Sequence, residues 1–221
     1  MDLRLVIGNK NYSSWSLRPW LLLKQFGIPF EEIRVPLYQA ESKQALQKYS
    51  PSGLVPVLIH GELAVWDSLA ICEYVQEVFP SQAMWPLGRG TRAIARAASA
   101  EMHSGFTAVR SHMPMNCRKS FPGKGLNQAT AAEIARITQL WCDCRNTYGE
   151  DGSMLFGRFS IADAMFAPVA LRFNTYQVEL DEVCQAYVSA IMDLPAVKEW
   201  VGAARLEAEV LPDFEPYQKS I

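Results

Sequence analysis

Nowhere does this sequence run through the roughly 18 consecutive apolar residues that mark a membrane-spanning helix. The opening MDLRLVIG carries too short an apolar run for a signal peptide, and the expectation is a cytoplasmic protein without a membrane partner. Basic clusters are missing too. Lys and Arg total 21 against 23 Asp and Glu, the net charge is −2, and no local run offers a nucleic-acid surface. Histidine is scarce, with His60, His103 and His112 far apart. The five cysteines (Cys72, Cys117, Cys142, Cys144 and Cys184) are an odd number without a CxxC, and the single residue between Cys142 and Cys144 matches no zinc spacing. These absences exclude a dithiol redox motif and leave no reason to expect a metal. The thiols read as small buried hydrophobes. Internal repeats and low-complexity tracts are lacking as well.

What is present is enough for a real core: 221 residues, 49% hydrophobic and 20% charged. Residues 1–80 mix strands and helices. LRLVIG reads as a strand, LRPWLLLKQFG as a helix ended by Gly27, FEEIRVPL as a strand and ESKQALQKY as a short helix. VPVLIHGELAVW reads as two strands joined at His60-Gly61, and DSLAICEYVQEVF as an amphipathic helix. The order is β-α-β-α-β-β-α. Residues 81–90, rich in Pro and Gly, read as a linker. From 91 to 221 only helical periods recur, beginning with one continuous helix over 91–113. Mixed elements followed by a run of helices imply two packed domains, an α/β unit and an all-α unit.

The densest motif is NYSSWSLRPW, where a strand ends and a helix opens. One serine suffices to cap a helix, and Ser16 is the natural candidate, placing Leu17, Arg18 and Pro19 in the first turn. Capping does not account for Ser13 and Ser14. Further on, Pro56 stands between Val55 and Val57, where proline cannot donate to a sheet ladder. Asp67-Ser68 falls where a strand meets a helix N-terminus, which serves either as a simple cap or as an anion site. Ser160-x-x-Asp163 reads as a capping box, an element for folding with no catalytic role.

Four stretches in order, SSWSLRPW (13–20), GLVPVL (53–58), WDSLAICEYV (66–75) and GRFSIADAMFAPV (157–169), resemble the cytosolic glutathione transferases over essentially the whole chain. The serine-rich first stretch is most similar to the zeta class, which includes the maleylacetoacetate isomerases. The resemblance implies an N-terminal thioredoxin-like domain and a C-terminal helical bundle domain. It implies glutathione as co-substrate, a small electrophile as partner, and a homodimer. It also implies a cis Pro56 that turns the backbone of Val55 toward the cysteinyl group of glutathione. Asp67 and Ser68 would take its γ-glutamyl end, and Lys43 would approach its glycyl carboxylate. Ser13, five residues before Arg18, matches the zeta activator; Ser14, at four, matches other serine-type classes. Tyr12 is a third hydroxyl in reach.

The activating chemistry is modest in energy. Lowering a thiol pKa from about 8.5 by about two units needs roughly 2.7 kcal/mol of preference for the anion. One hydrogen bond to a charged partner supplies about 1.5–3 kcal/mol, and a helix N-terminus adds roughly 0.3–1 kcal/mol. A serine that donates rather than attacks is therefore sufficient. Trp15 stands where zeta enzymes have cysteine, which argues against thiol-dependent redox chemistry and reshapes the acceptor side. His103, Phe106 and Arg110 fall at i, i+3 and i+7 of the continuous helix, on one face. With Trp15 they form the expected second-substrate wall, suited to an aromatic or unsaturated acid, with Arg118 a weaker addition; the alternative is a solvated helix face. The expected activity is conjugation by glutathione transfer, with glutathione-dependent cis–trans isomerisation as a variant and a non-catalytic binding protein as a third reading.

Overall fold

The computed structural model describes residues 2–217, so Met1 and residues 218–221, the outer ends of the two expected domains, lie outside the described residues. The apolar run at the start forms β1 (Leu3–Ile7), which is central to its sheet and buried at every position but one. The chain crosses through α1 (Ser14–Gln25) to β2 (Glu31–Arg34), which lies parallel to β1 with Arg4 beside Glu31. After α2 (Ser42–Gln47) come β3 (Val57–His60), antiparallel to β1, and β4 (Leu63–Trp66), antiparallel to β3. The strand order is β2-β1-β3-β4, and α3 (Ser68–Val78) closes this part. The expected β-α-β-α-β-β-α order is the observed one.

Local chemistry explains the ends. Gly27 has φ +62°, and its N–H donates to the Lys24 carbonyl while Ile28 N–H donates to that of Leu23. This pair of bonds is a Schellman closure, and only glycine enters it without a Cβ penalty. Gly61, also at positive φ, turns the β3–β4 hairpin.

The helical part contains α4 (Arg89–Ser104), α5 (Thr107–His112), α6 (Gln128–Tyr148), α7 (Ile161–Tyr176), α8 (Glu182–Asp193) and α9 (Pro195–Leu206). The apolar α7 is buried at every position except Asn174, and it packs against α1, α4 and α8. A helix hydrophobic all round belongs at the centre, and α7 is there. Ser160 and Asp163 form the expected capping box: Asp163 Oδ2 accepts from Ser160 N–H (2.8 Å) and Ser160 Oγ–H (2.9 Å). Its Oδ1 accepts from Leu155 N–H at 3.0 Å.

Two expectations are corrected. The helix read as continuous over 91–113 breaks after Ser104: Gly105 is extended and Phe106 is left-handed at φ +56°. A Cβ on Gly105 would stand 2.8 Å from the Glu101 carbonyl oxygen, so the glycine permits the close turn, and Phe106 swings into the core. Ser16 is not the cap of α1. The helix begins at Ser14, and Ser16 Oγ lies in its first turn, accepting from Gly8 N–H at 3.1 Å and thereby tying α1 to the end of β1.

Candidate active site

The loop from Gly8 to Ser13 is fixed before any side chain points into space. The Asn9 carbonyl accepts from Ser13 N–H at 2.8 Å, and Asn9 Oδ1 accepts from Leu37 N–H at 2.7 Å. Glu207 receives the N–H groups of Lys10 and Asn11, and Asn11 Oδ1 receives those of Cys117 and Arg118. The serines at the start of α1 thus stand on backbone held from both halves of the chain.

They open onto a cavity of about 880 Å³ at the junction of the two halves. That volume is ample for a tripeptide-sized ligand. The cavity brings together Ser13, Ser14, Trp15, Lys43, Val55, Pro56, Asp67, Ser68 and Arg110 from the sequence reading. The Val55–Pro56 bond is cis. Tyr12 also borders the cavity, but its hydroxyl donates to Glu215 at 2.6 Å and accepts from Arg118 at 2.7 Å. Arg118 is held by the carbonyls of Glu207 and Glu209, away from the acceptor wall.

The two serines are in different electronic situations. Ser13 Oγ–H donates to Ser16 Oγ at 2.7 Å. Ser14 Oγ instead accepts from Arg172 Nη2 at 3.2 Å, which leaves its own hydrogen available to the cavity. Arg172 was not anticipated. Its signal is a lone cation inside the otherwise apolar α7, where a charge survives only with a purpose or a partner. It also donates to the carbonyls of Met113 and Pro168.

Asp67 caps α3, its Oδ1 accepting from Leu69 N–H (2.9 Å) and Ala70 N–H (3.1 Å). Its backbone, at φ +78° and ψ 132°, is one that L side chains adopt only where the surroundings impose it, at about 1–3 kcal/mol. Oδ2 meets His103 Nε2 at 3.1 Å. Burial holds His103 below the ordinary histidine range, a pull only partly opposed by Asp67. At neutral pH the contact is therefore a hydrogen bond from a neutral imidazole. Ser68 is fully buried and accepts from Arg18 Nη1 at 3.2 Å.

Three guanidinium groups surround this end of the cavity. Burial pulls Arg18 down to about 9 and Arg172 to about 10, with neighbouring arginines next in effect on both; Arg110 is lowered by burial. None of the three takes part in a salt bridge among the described residues. Trp15 lies against two of them, with Arg18 4.3 Å and Arg110 5.2 Å from its ring centre, and His103 stands edge-on at 5.3 Å. Arg110 also returns to α4, donating to the carbonyls of His103 and Gly105.

The expected acceptor face is corrected accordingly. The helix break separates its members: Arg110 reaches the cavity, His103 stands behind Asp67 and Trp15, and Phe106 is 7% exposed in the core. Met115, Trp66 and Phe214 supply apolar lining that no motif announced.

A cis proline facing a serine-lined helix start, in a thioredoxin-like sheet docked on a helical bundle, is the arrangement that the sequence motifs led us to expect. Two family models match, the glutathione S-transferase N-terminal domain over residues 12–78 and the C-terminal domain over residues 92–203. The chain belongs to the glutathione S-transferase family. Among curated relatives, a probable maleylacetoacetate isomerase of Caenorhabditis elegans is 35% identical over 76% of this chain and 77% of its own length. A maleylpyruvate isomerase of Ralstonia sp is 27% identical over 89% and 98%. The dichloromethane dehalogenase of Methylorubrum extorquens is 41% identical over 31% of this chain, and the match spans only 24% of that protein. For glutathione S-transferase 1 of Dianthus caryophyllus, the matched share of the relative is 36%. A solved Burkholderia glutathione transferase homolog with bound glutathione superposes with a TM-score of 0.71 at 24% identity, covering 93% of this chain and 99% of that one. A bacterial zeta-class maleyl pyruvate isomerase gives 0.70 at 22%, over 93% and 100%. Both share the transferase fold.

Proposed function

We propose that this transferase binds glutathione along the cavity, stabilises its thiolate with Ser14, and presents it to a small electrophile that carries a carboxylate. The observation that carries the reading is the Ser14–Arg172 hydrogen bond. A hydroxyl that accepts from a buried cation has its own hydrogen polarised and free to meet a developing S⁻. Ser13, whose hydrogen is committed to Ser16, then positions rather than activates. Val55 presents its backbone to the cysteinyl unit beside Pro56. Ser68, at the start of α3, takes the γ-glutamyl carboxylate, Asp67 its ammonium, and the exposed Lys43 the glycyl carboxylate. Arg110 and Arg172, neither of which forms a salt bridge among the described residues, suit the acid group of the acceptor. The working unit is a homodimer of the kind usual for the family.

The same addition step serves an isomerase: the thiolate adds to a cis double bond, the new single bond rotates, and the thiolate leaves. The arginines at the cavity and the lengthwise likeness to two isomerases favour this second reading. One experiment separates the two. The enzyme is incubated with glutathione and a cis-unsaturated diacid of the maleyl type, and products are followed by NMR. A stable thioether with equimolar loss of glutathione supports conjugation, whereas trans acid with glutathione unconsumed supports isomerisation. If neither appears, and Ser14→Ala leaves the bound-thiol pKa of wild type unchanged, the catalytic reading fails and a binding protein remains.

A further inference from the structure

Away from the cavity, Cys142 on α6 and Cys184 on α8 face one another with Sγ atoms 3.6 Å apart. Asp181, the cap of α8, adds its carboxylate, with Oδ2 3.5 Å and Oδ1 3.7 Å from Cys142 Sγ. One donor atom of each residue lies within 4.8 Å of the other two. Chain spacing hid this cluster, because Cys142 pairs with a residue 42 positions away and not with its near neighbour Cys144.

We propose that Cys142, Cys184 and Asp181 form a binding site for a thiophilic divalent cation of the zinc type. Tetrahedral zinc, with bonds of about 2.3 Å to sulfur and about 2.0 Å to oxygen, sets edges of roughly 3.8 Å between sulfurs and roughly 3.5 Å from sulfur to oxygen. The observed 3.6 Å and 3.5 Å lie close to those edges, and the third edge, from Cys184 to Asp181, lies within 4.8 Å, so it is the one that would shorten on binding. Three protein ligands leave the fourth position to water. An entry path exists, because Asp181 is exposed and Cys142 half-buried while Cys184 forms the buried floor. The scaffold is stiff: Asp181 Oδ1 accepts from Cys184 N–H at 2.9 Å, so the carboxylate is oriented by the helix that carries the second thiol.

The chief competitor for these thiols is a disulfide. Bond formation would need the sulfurs to approach to about 2.05 Å. Burial first, and the neighbouring Asp181 carboxylate after it, hold both thiols above their ordinary range. A cation reverses that balance: each thiol loses its proton to solvent as the sulfur binds, so affinity rises with pH.

The test uses the full-length protein, reduced with a phosphine, freed of metal by a chelator and titrated with Cd²⁺. Thiolate-to-cadmium ultraviolet absorption reads binding, and Zn²⁺ is then added in competition. Loss of a supporting group around a metal costs roughly 10–100-fold in affinity, so Cys142→Ser should weaken binding by at least about 100-fold. Asp181→Asn, which keeps an oxygen for the α8 cap, should weaken it by at least about tenfold by the same scale. Cys144→Ala and Cys117→Ala should bind as wild type does. No band in the wild type, or an undiminished band in Cys142→Ser, overturns the proposal. So does a protein that takes up no Cd²⁺ before reduction and yields Cys142 and Cys184 peptides joined by a disulfide, since the pair would then be a redox couple.

Discussion

His103 shows how one side chain can tune a ligand site from behind it. As a neutral donor it meets Asp67 Oδ2, the group we propose for the ammonium of glutathione, through a hydrogen bond alone. Once protonated it becomes a rival cation on the same oxygen. Its affinity for protons is already lowered by burial, so this happens only below the ordinary histidine range near pH 6.5. Binding of an S-alkylated glutathione, which has no thiol to titrate, should therefore be level near neutrality and weaken as the pH falls through His103. In His103→Gln, which keeps an N–H donor but cannot titrate, the affinity followed by calorimetry should stay flat over that interval. At the same scale, Ser14→Ala should raise the pKa of bound glutathione by about one to two units, the worth of a charged hydrogen bond. Ser13→Ala should move it less, as read from thiolate absorbance against pH.

Among the elements, α7 depends most on its first turn. Asp163 takes three donors that have no other acceptor among the described contacts: Leu155 N–H, Ser160 N–H and Ser160 Oγ–H. Leaving such groups unpaired costs about 1–3 kcal/mol each, so Asp163→Ala should lose at least about 3 kcal/mol in urea unfolding. Burial pushes the Asp163 carboxyl up to about 6, against the downward pull of these bonds. Because the folded value lies above the unfolded value of about 3.9, the protonated form favours folding. That contribution is whole below about pH 4 and lost as pH rises through about 6. The stability of wild type relative to Asp163→Asn should fall over this window by up to about 3 kcal/mol and level off above it.

The elements were legible where periodicity and punctuation agree, as in the Gly27 stop, the His60-Gly61 hairpin and the Ser160/Asp163 start. The α4–α5 break was not. A lone glycine within a helical pattern is usually tolerated, and only tertiary burial of Phe106 decides that this one ends a helix. The glycine cost is the same in both cases; the core makes the choice. Ser13, Ser14, Pro56 and Asp67, each within a motif, line one cavity, because short stretches of chain carry them there. Arg172 and the Cys142–Cys184 pair arrive by helix packing, which no local spacing records.

For the molecule as a whole, the two halves are joined through buried aromatic contact. Trp20 on α1 and Trp200 on α9 meet at 5.0 Å, with Lys10 Nζ 5.2 Å and 5.5 Å from their ring centres. Trp200 Nε1–H donates to the Lys10 carbonyl at 2.9 Å. Fully buried tryptophans of this kind cost about 3–5 kcal/mol when cut to alanine. Trp200→Ala should therefore destabilise both halves together, and tryptophan fluorescence and far-ultraviolet dichroism should report one coincident transition. Two separate transitions would show that the halves fold independently.

The reach of Arg172 across this junction has a consequence for assembly. The serine that accepts its hydrogen bond belongs to one half of the chain and the guanidinium to the other, so the activation we propose for Ser14 would be a property of neither alone. The cis proline and the α3 helix end belong to the first half alone. It would lack the cation behind Ser14 until α7 docks. On the proposed function, activation of the thiol would therefore wait for completion of the fold.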